Sequence, residues 1–503
     1  MTFTGRSVVL LLASVVLLAP AAIAPTPVSA AERPWLEVRS PHFIVVSDAG
    51  EKSARKVAWQ FEQVRAVLLK LWPWAHVAAD KPVLVFAARN EQTIKSLAPE
   101  FWETKGGTRP VSVFVTGRDR HYIALRTDVE EPDSVAANPY FSTYWSYVYL
   151  VLEWSFEKPL PLWFGRGLSE FFANTIVRSK DIQVGRVVPW HLRELNEGRL
   201  LPLATVMGVD RESPYMKRPD DSRAFHASAW AFIHYLTFGE EVANLPRFNR
   251  FAQALNTGGD AGAALREVYG DLARLEAAAR NYATRSMFVY QLVKLDLDVP
   301  AEGFELRSLS PAESAAAQAA FHVATGRPAE ARKLAQEAMR ADAALASPYE
   351  SEGMLCDRED KKDEALAAYT KAVELGSSSF FAYYRHAQLL WQPKADPATL
   401  SRIDKSLAKA IELNTGYAPA YSYLADVRID LEQADAAVGL ARRAVSLEPG
   451  ASYHHCTLAR ALSRVSKRDE ALQEAEKALS VARNANERQR AEELLAYLKR
   501  PQK

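Results

Sequence analysis

The sequence is poor in cysteine and has almost no net charge. Two cysteines in 503 residues are too few for a scaffold held together by disulfides, and a chain of this length can form large hydrophobic cores without them. Basic residues number 62 and acidic residues 61, which leaves a formal net charge of +1. This balance does not indicate a nucleic-acid-binding surface or a polybasic membrane patch, so partners must be recognised by local surfaces.

Long hydrophobic runs are missing after the N-terminus. An apolar run of 18 residues, 7–24, is followed by small residues that place Val28 and Ala30 at the −3 and −1 positions of a cleavage site. We predict a signal peptide over residues 1–30 and a bacterial protein that is periplasmic or secreted, with no transmembrane segment after cleavage. An uncleaved anchor is the alternative, because a run of this length can just span a bilayer, but Pro20 favours cleavage.

The C-terminal third contains a 34-residue repeat. Two series of small residues recur there, with spacings of 34, 38, 34 and 34 in the first and 34, 34, 38 and 34 in the second. An insertion of four residues around 392–399, predicted to be a loop, explains the long interval in both. The first series is Ala338, Ala372, Ala410, Ala444 and Ala478, and the second is Ala319, Gly353, Ala387, Ala425 and Ala459.

This periodicity resembles that of tetratricopeptide repeats, which are helix pairs whose small residues let the two helices approach closely. The resemblance implies an all-α solenoid over residues 308–503, with about five repeats and a polar capping helix at 486–500. Its concave face is expected to bind a protein or peptide ligand. Cys356 and Cys456 fall in different repeats, too far apart for a disulfide, so we predict two free thiols.

Residues 31–300 have the mixed pattern of an α+β domain. Residues 82–88 and 111–116 are strand-like, and residues 35–48 have the short alternating stretches of a hairpin at a sheet edge. Apolar residues at helical spacing over 57–71 predict one long amphipathic helix. Helices are predicted to dominate from residue 142, and the last long one is expected over 271–290.

Residues 145–172 of this domain resemble the active-site segment of gluzincin-type metallopeptidases. A helix, YVYLVLEW, and a short polar link precede LPLWFGRGLSEFF. In that family the first helix carries HExxH and the second segment reads approximately PlWlnEGlaEyf. The resemblance implies a zincin-like fold for the N-terminal domain, of the kind that exported bacterial proteins often join to tetratricopeptide repeats.

The family's catalytic positions are degenerate in this chain. In register, the two histidine positions are Trp145 and Tyr149, the general-base position is Ser146, and the third-ligand position is Arg166. Indole offers no lone pair to a metal, an unaided serine is a poor base, tyrosine is a reluctant ligand, and a fixed guanidinium charge repels zinc. We therefore expect no metal and no cofactor.

Arg166 is expected to replace the charge of the lost ion. Its predicted partner is Glu170, four residues further along the same helix, with Glu153 as the second choice and the Tyr149 hydroxyl in the same network. The predicted binding residues are thus Tyr149, Arg166 and Glu170. The ten histidines all lie outside residues 145–172 and are predicted to be core or solvated residues.

These observations lead to two hypotheses about function. The first is an exported non-catalytic pseudopeptidase scaffold that binds proteins or peptides in the cell envelope. The alternative is an envelope hydrolase, either a peptidase with an unorthodox site or a glycan-acting enzyme that uses a groove rich in tryptophan, since ten of the eleven tryptophans lie in the N-terminal domain. The chain has neither a G-x-S-x-G nucleophile motif nor a phosphate-binding glycine loop.

Overall fold

The computed structural model describes residues 34–500 with nine short gaps. The gaps are residues 78–80, 104–108, 131–136, 157–159, 179–180, 241–244, 257–259, 295–299 and 393–394. The predicted signal peptide, residues 1–30, lies outside the described residues. None of the helices in the described ranges is long and apolar enough to cross a membrane.

A six-stranded mixed sheet opens the fold. Its strands are β1 (Leu36–Arg39), β2 (Phe43–Ser47), β3 (Val83–Ala88), β4 (Ser112–Thr116), β5 (His121–Arg126) and β9 (Glu305–Ser308). Their order across the sheet is β4-β5-β3-β2-β1-β9. The three strands β2, β3 and β5 run parallel, and the remaining pairings are antiparallel.

The predicted hairpin is present, but it does not lie at the edge of the sheet, as was predicted. Strands β1 and β2 pair antiparallel, as expected from residues 35–48. On its other side, however, β1 pairs with β9, where Leu36 lies opposite Ser308. The strand that covers this edge comes from more than 260 positions later in the chain, so no local pattern could indicate it.

The centre of the sheet is covered on both faces. All six residues of β3 are buried: Val83, Val85 and Ala87 enter one core, and Leu84, Phe86 and Ala88 enter another. Strand β5, which the sequence analysis did not predict, is buried in the same way. A strand covered on both faces loses the alternation of apolar and polar residues by which strands are recognised.

Helices cover the sheet and form most of the N-terminal region. The predicted amphipathic helix is α1, which buries Val57, Phe61, Val64, Leu68 and Leu71. The helices that follow are α2 (Glu91–Leu97), α3 (Glu100–Glu103), α4 (Phe141–Ser155), α5 (Leu162–Ala173), α6 (Pro189–Asn196), α7 (Leu203–Gly208), α8 (Pro214–Lys217), α9 (Pro219–Phe238), α10 (Leu245–Asn256), α11 (Ala261–Tyr269) and α12 (Leu272–Ala283), while α1 itself spans Glu51–Leu71.

The helix predicted over 271–290 is too long. Helix α12 ends at Ala283, and the chain then enters strand β8 (Gln291–Val293). This strand completes a second, three-stranded antiparallel sheet with β6 (Ile176–Val177) and β7 (Ile182–Val184). Residues 284–290, predicted to be helical, instead form a turn and irregular backbone that lead into β8.

Five helix pairs and one further helix form the C-terminal region. The pairs are α13 (Pro311–Ala324) with α14 (Pro328–Ala341), α15 (Ser347–Arg358) with α16 (Lys362–Glu374), α17 (Phe380–Leu390) with α18 (Pro397–Leu413), α19 (Ala418–Asp430) with α20 (Ala434–Leu447), and α21 (Ser452–Arg464) with α22 (Arg468–Val481), followed by α23 (Ala485–Lys499). The first series of small residues lies on the second helix of each pair, the second series on the first helix, and all ten are buried. The region therefore has the tetratricopeptide-repeat fold.

The insertion at 392–399 is a loop only in part. Helix α18 begins at Pro397 and is 17 residues long, so three of the predicted loop residues form its first turn. The Asp396 side chain caps this turn by accepting hydrogen bonds from the amides of Ala398 and Thr399 at 2.9 and 3.0 Å. Proline at the first helical position and aspartate before it start a helix there.

The sheet and the repeats are in direct contact. Phe321 of α13 packs edge-on against Phe86 and Tyr122 of the sheet, with ring centroids 5.3 and 5.9 Å apart. In the turn between β4 and β5, the Nη2 atom of Arg120 lies 4.0 Å from the Oε2 atom of Glu350 on α15. Strand β9, which falls between the predicted ranges 31–300 and 308–503, leads directly into α13.

The two thiols lie in different repeats. Cys356 on α15 is buried and Cys456 on α21 is half-buried, and both are free. Burial raises the pKa of both thiols, which makes them less reactive than exposed cysteines.

Two glycines of the repeats should respond in opposite directions to alanine. A β-carbon on Gly353 would lie 2.8 Å from the ring of Tyr369, whereas one on Gly439, inside α20, would enter open space. We expect Gly353→Ala to destabilise the repeats by about 1–3 kcal/mol through overpacking. Gly439→Ala is the matched control and should stabilise them by up to about 1 kcal/mol, because alanine favours helix. Urea unfolding followed by circular dichroism measures both, and equal responses would contradict the tight packing of α15 on α16.

Candidate functional site

Helices α4 and α5 bring three of the four degenerate positions together. The rings of Trp145 and Tyr149, one turn apart on α4, are parallel within 4° and have centroids 5.2 Å apart. The guanidinium carbon of Arg166 on α5 lies 4.7 Å from the Trp145 centroid and 5.0 Å from the Tyr149 centroid. Ser146 is half-buried on the same helix as the two rings. The residues at the family's ligand positions thus form a cation–π cluster.

The order of apolar, small and charged residues along α5 determines which of its side chains contact this cluster. Five large apolar residues of the helix are buried, and Gly167 lies against the backbone of α9, since a β-carbon there would meet the Ala229 carbonyl oxygen at 2.6 Å. Arg166 is half-buried, on the side of α5 that meets the α4 rings. The apolar and small residues therefore seat the helix, and Arg166 is left in the cleft between α4 and α5.

Glu170 lies buried beneath the cluster and has three donors. Its Oε1 accepts a hydrogen bond from Trp145 Nε1 at 3.0 Å and another from His226 Nδ1 at 2.7 Å. Its Oε2 accepts one from His191 Nε2 at 3.0 Å. Burial by itself raises the pKa of this carboxyl group, but the hydrogen bonds from His191 and His226 outweigh it and lower the pKa to about 2.

The predicted ion pair between Arg166 and Glu170 is wrong. The carboxylate of Glu170 is bonded to the indole and the two histidines, and Glu153, the second choice, is exposed on α4. Among the described residues Arg166 makes no ion pair, and its buried Nε has no hydrogen-bond partner. Burial lowers the pKa of Arg166. The i, i+4 spacing of Arg166 and Glu170 allows an ion pair. The Glu170 carboxylate, however, accepts its hydrogen bonds from side chains on other helices.

The two histidines that contact Glu170 were missed as site residues by the sequence analysis. His191 lies on α6 and His226 on α9, so they reach Glu170 from 21 and 56 positions away in the chain. No spacing motif connects residues on three separate helices. The only usable signal was the buried carboxylate itself, because a buried charge needs partners.

His234 illustrates the predicted core histidine. It is fully buried, its Nε2 lies 3.0 Å from the carbonyl oxygens of Gly185 and Val289, and its Nδ1 accepts from the Tyr282 hydroxyl at 2.9 Å. Burial lowers its pKa to about 3. The ring is thus neutral at physiological pH, with both nitrogens occupied.

The family's zinc ion does not fit the residues at its ligand positions. The indole nitrogen of Trp145 is a donor already bonded to Glu170, and the Arg166 cation lies over both rings. Within the described ranges, no group of three or more histidine, cysteine, aspartate or glutamate side chains could hold a metal ion. The cluster offers cationic and aromatic surface in place of metal ligands.

Comparisons with known proteins gave matches among solved structures. No protein-family model and no curated protein matches the chain. Among solved structures, MamA is 22% identical with a TM-score of 0.29, and the match covers 34% of this chain and 91% of MamA. YrrB, described as a TPR protein with an unusual peptide-binding site, is 17% identical with a TM-score of 0.31, over 36% of this chain and 92% of its own. A thermophilic TPR protein of Thermus thermophilus is 20% identical with a TM-score of 0.28, over 37% of this chain and 99% of its own.

Proposed function

We propose that this chain is an exported, non-catalytic protein that binds proteins or peptides in the bacterial cell envelope. It would consist of a degenerate gluzincin-like domain and a tetratricopeptide-repeat scaffold. The observation that carries the proposal is the position of Arg166, whose guanidinium lies over Trp145 and Tyr149, the residues at the family's two histidine positions.

The residue types at these positions support a binding role and argue against zinc-dependent hydrolysis of the gluzincin type. That route needs a metal-bound water and a carboxylate to accept its proton. Here Ser146 stands at the base position, and a fixed positive charge stands at the third-ligand position. Reversing a single substitution would leave the other positions unable to bind metal, so the site is far from an active enzyme.

The repeats supply a surface suited to a protein partner. Tyr384, Tyr423 and Tyr453 lie on the first helices of the third, fourth and fifth pairs, and Tyr453 is 39% exposed. A cleft between α21 and α23 is lined by Tyr453, Cys456, Arg460 and Arg490, among others. Tyrosine and arginine are the residues most often found at the energetic centre of protein interfaces. We propose that the ligand binds on the concave face formed by the first helices.

The hydrolase alternative is supported by one specific observation. His226 is 20% exposed, and its Nδ1 is held by the buried carboxylate of Glu170 at 2.7 Å. A carboxylate that orients a partly exposed histidine is the arrangement of a general base and its orienting acid. The test of the proposed function therefore includes this residue.

Three measurements on the purified full chain test the proposal. We expect less than stoichiometric zinc by elemental analysis, and no turnover of casein or of cell-wall material. We also expect a partner from native envelope extract that is retained by the wild type and by Lys477→Ala, an exposed control on α22, but lost from Tyr453→Ala. Stoichiometric zinc, or turnover abolished by His226→Ala, would favour the hydrolase instead.

A further inference from the structure

The face of the Arg166 guanidinium packs on aromatic rings, but its N–H edge makes no hydrogen bond within the described residues. Its face lies over the rings of Trp145 and Tyr149. Its edge carries five N–H donors, and none of them has a hydrogen-bond partner within the described residues, including the buried Nε. A half-buried guanidinium with unused donors is costly unless an acceptor is supplied, because its N–H groups have lost part of their contact with water.

The neighbouring carboxylates do not supply that acceptor. Glu170 has both oxygens engaged by Trp145, His191 and His226. Glu153 is exposed on α4 and makes no hydrogen bond to Arg166 within the described residues. Charge attraction from Glu170 acts on Arg166, but neither oxygen of that carboxylate is hydrogen-bonded to the guanidinium, so the described part of the chain supplies no acceptor for its N–H groups.

A second cation increases the attraction for an anion. Burial lowers the pKa of Arg166, and like-charge repulsion from Arg211 lowers it further. Arg211 is exposed and forms no ion pair with another described residue. Two positive charges that influence each other, one of them partly removed from water, attract an anion more strongly than an isolated surface arginine does.

From this geometry we infer that Arg166 is the centre of a carboxylate-binding site, with Trp145 and Tyr149 as its aromatic wall. The planar guanidinium edge matches the two oxygens of a carboxylate, and the flanking rings suit the apolar atoms next to it. The inference adds a second contact site to the proposed function, on which it rests for the nature of the ligand. It names the group by which this cleft recognises a peptide, either a C-terminal carboxylate or an acidic side chain.

Chemical footprinting of the full chain with phenylglyoxal, which modifies accessible arginines, tests the site directly. The probes are N-acetyl-alanyl-alanine, its C-terminal carboxamide, N-acetyl-glutamyl amide and inorganic phosphate. Peptide mapping by mass spectrometry gives the modification rate of Arg166, with Arg218, whose side chain is 74% exposed, as the internal reference. We expect a saturable decrease in the Arg166 rate, roughly tenfold at ten times the Kd, with a carboxylate probe and not with the carboxamide.

The outcomes separate the sources of the carboxylate. Protection by N-acetyl-alanyl-alanine alone identifies a C-terminal carboxylate, and protection by N-acetyl-glutamyl amide alone identifies an acidic side chain. Equal protection by the carboxamide, equal protection of Arg218, or protection by phosphate only would overturn the inference.

Substitutions of Arg166 and Arg218 test whether the arginine protected in the footprint also contributes to binding affinity. Titration calorimetry with the protecting probe should show at least about a tenfold loss of affinity in Arg166→Gln, the scale of one charge-assisted hydrogen bond. Arg166→Lys should recover part of it, and Arg218→Gln should bind like the wild type. If Arg166→Gln keeps its fold and its affinity for the probe, the site is not where we place it. If the probe binds as expected but no envelope partner is found, the carboxylate site stands and the proposed function fails.

Discussion

Replacing Glu170 with alanine should lower the free energy of unfolding of the N-terminal region by about 3–5 kcal/mol at neutral pH. The buried carboxylate accepts hydrogen bonds from Trp145, His191 and His226, which come from three different helices. Its removal leaves three donors without their acceptor in a largely buried space. Denaturant unfolding of the full chain, followed by tryptophan fluorescence, measures the loss. Glu153→Ala, which removes an exposed acid from α4, is the matched control and should change stability by less than about 0.5 kcal/mol.

The same variant has a defined pH dependence. Because the pKa of Glu170 is lowered from 4.5 to about 2, its contribution is complete above pH 4.5 and is lost as the pH falls toward 2. The difference in stability between wild type and Glu170→Ala should be constant from pH 5 to 7 and should narrow below pH 4.5. A difference that stays constant down to pH 3 would show that folding does not lower the pKa of Glu170.

Alanine at Gly167 should strongly destabilise the packing of α5 on α9. The added carbon would lie 2.6 Å from the carbonyl oxygen of Ala229 and 2.7 Å from a side-chain carbon of Ile233, both on α9. A backbone oxygen cannot turn away as a side chain can, so α5 and α9 must separate. We expect a loss of about 3 kcal/mol, at the upper end of the range for overpacking.

Gly165, two residues earlier on the same helix, provides the control. A β-carbon there would meet the Tyr149 ring at 3.4 Å, which is ordinary contact. Gly165→Ala should therefore be neutral or stabilising by up to about 1 kcal/mol, because alanine favours helix. Thermal unfolding of both variants gives the comparison. Similar melting temperatures for the two would mean that α5 and α9 are not in close contact at Gly167.

The repeats could be predicted almost completely from the sequence. Each helix pair contacts mainly its neighbours, so the small residues that allow close approach recur at the length of one repeat. Ala372 and Ala410 follow the pattern although their spacing differs by four residues from the others, because the extra residues are accommodated between and at the start of helices. Even so, the division of that insertion between loop and helix depended on the cap formed by Asp396.

The candidate site was predictable only in part. The spacing of Trp145 and Tyr149 on one helix follows from the helical period, and the loss of metal ligands is evident from the residue types. The absence of an ion pair between Arg166 and Glu170 was not predictable, because it depended on what else reached Glu170. His191 and His226 arrive there from separate helices, and their approach depends on how α6 and α9 pack against α5.

The sequence by itself determined the elements whose information is local: the helix pairs of the repeats, the amphipathic helix α1, and the chemistry of positions 145, 146, 149 and 166. Tertiary structure decided what depends on distant parts of the chain. Strand β9 closes one edge of the sheet from more than 260 positions away, and three helices converge on one carboxylate. Periodicity records which face of an element is buried but not what buries it, and hydrogen-bond acceptors are assigned only when the competing donors are brought together.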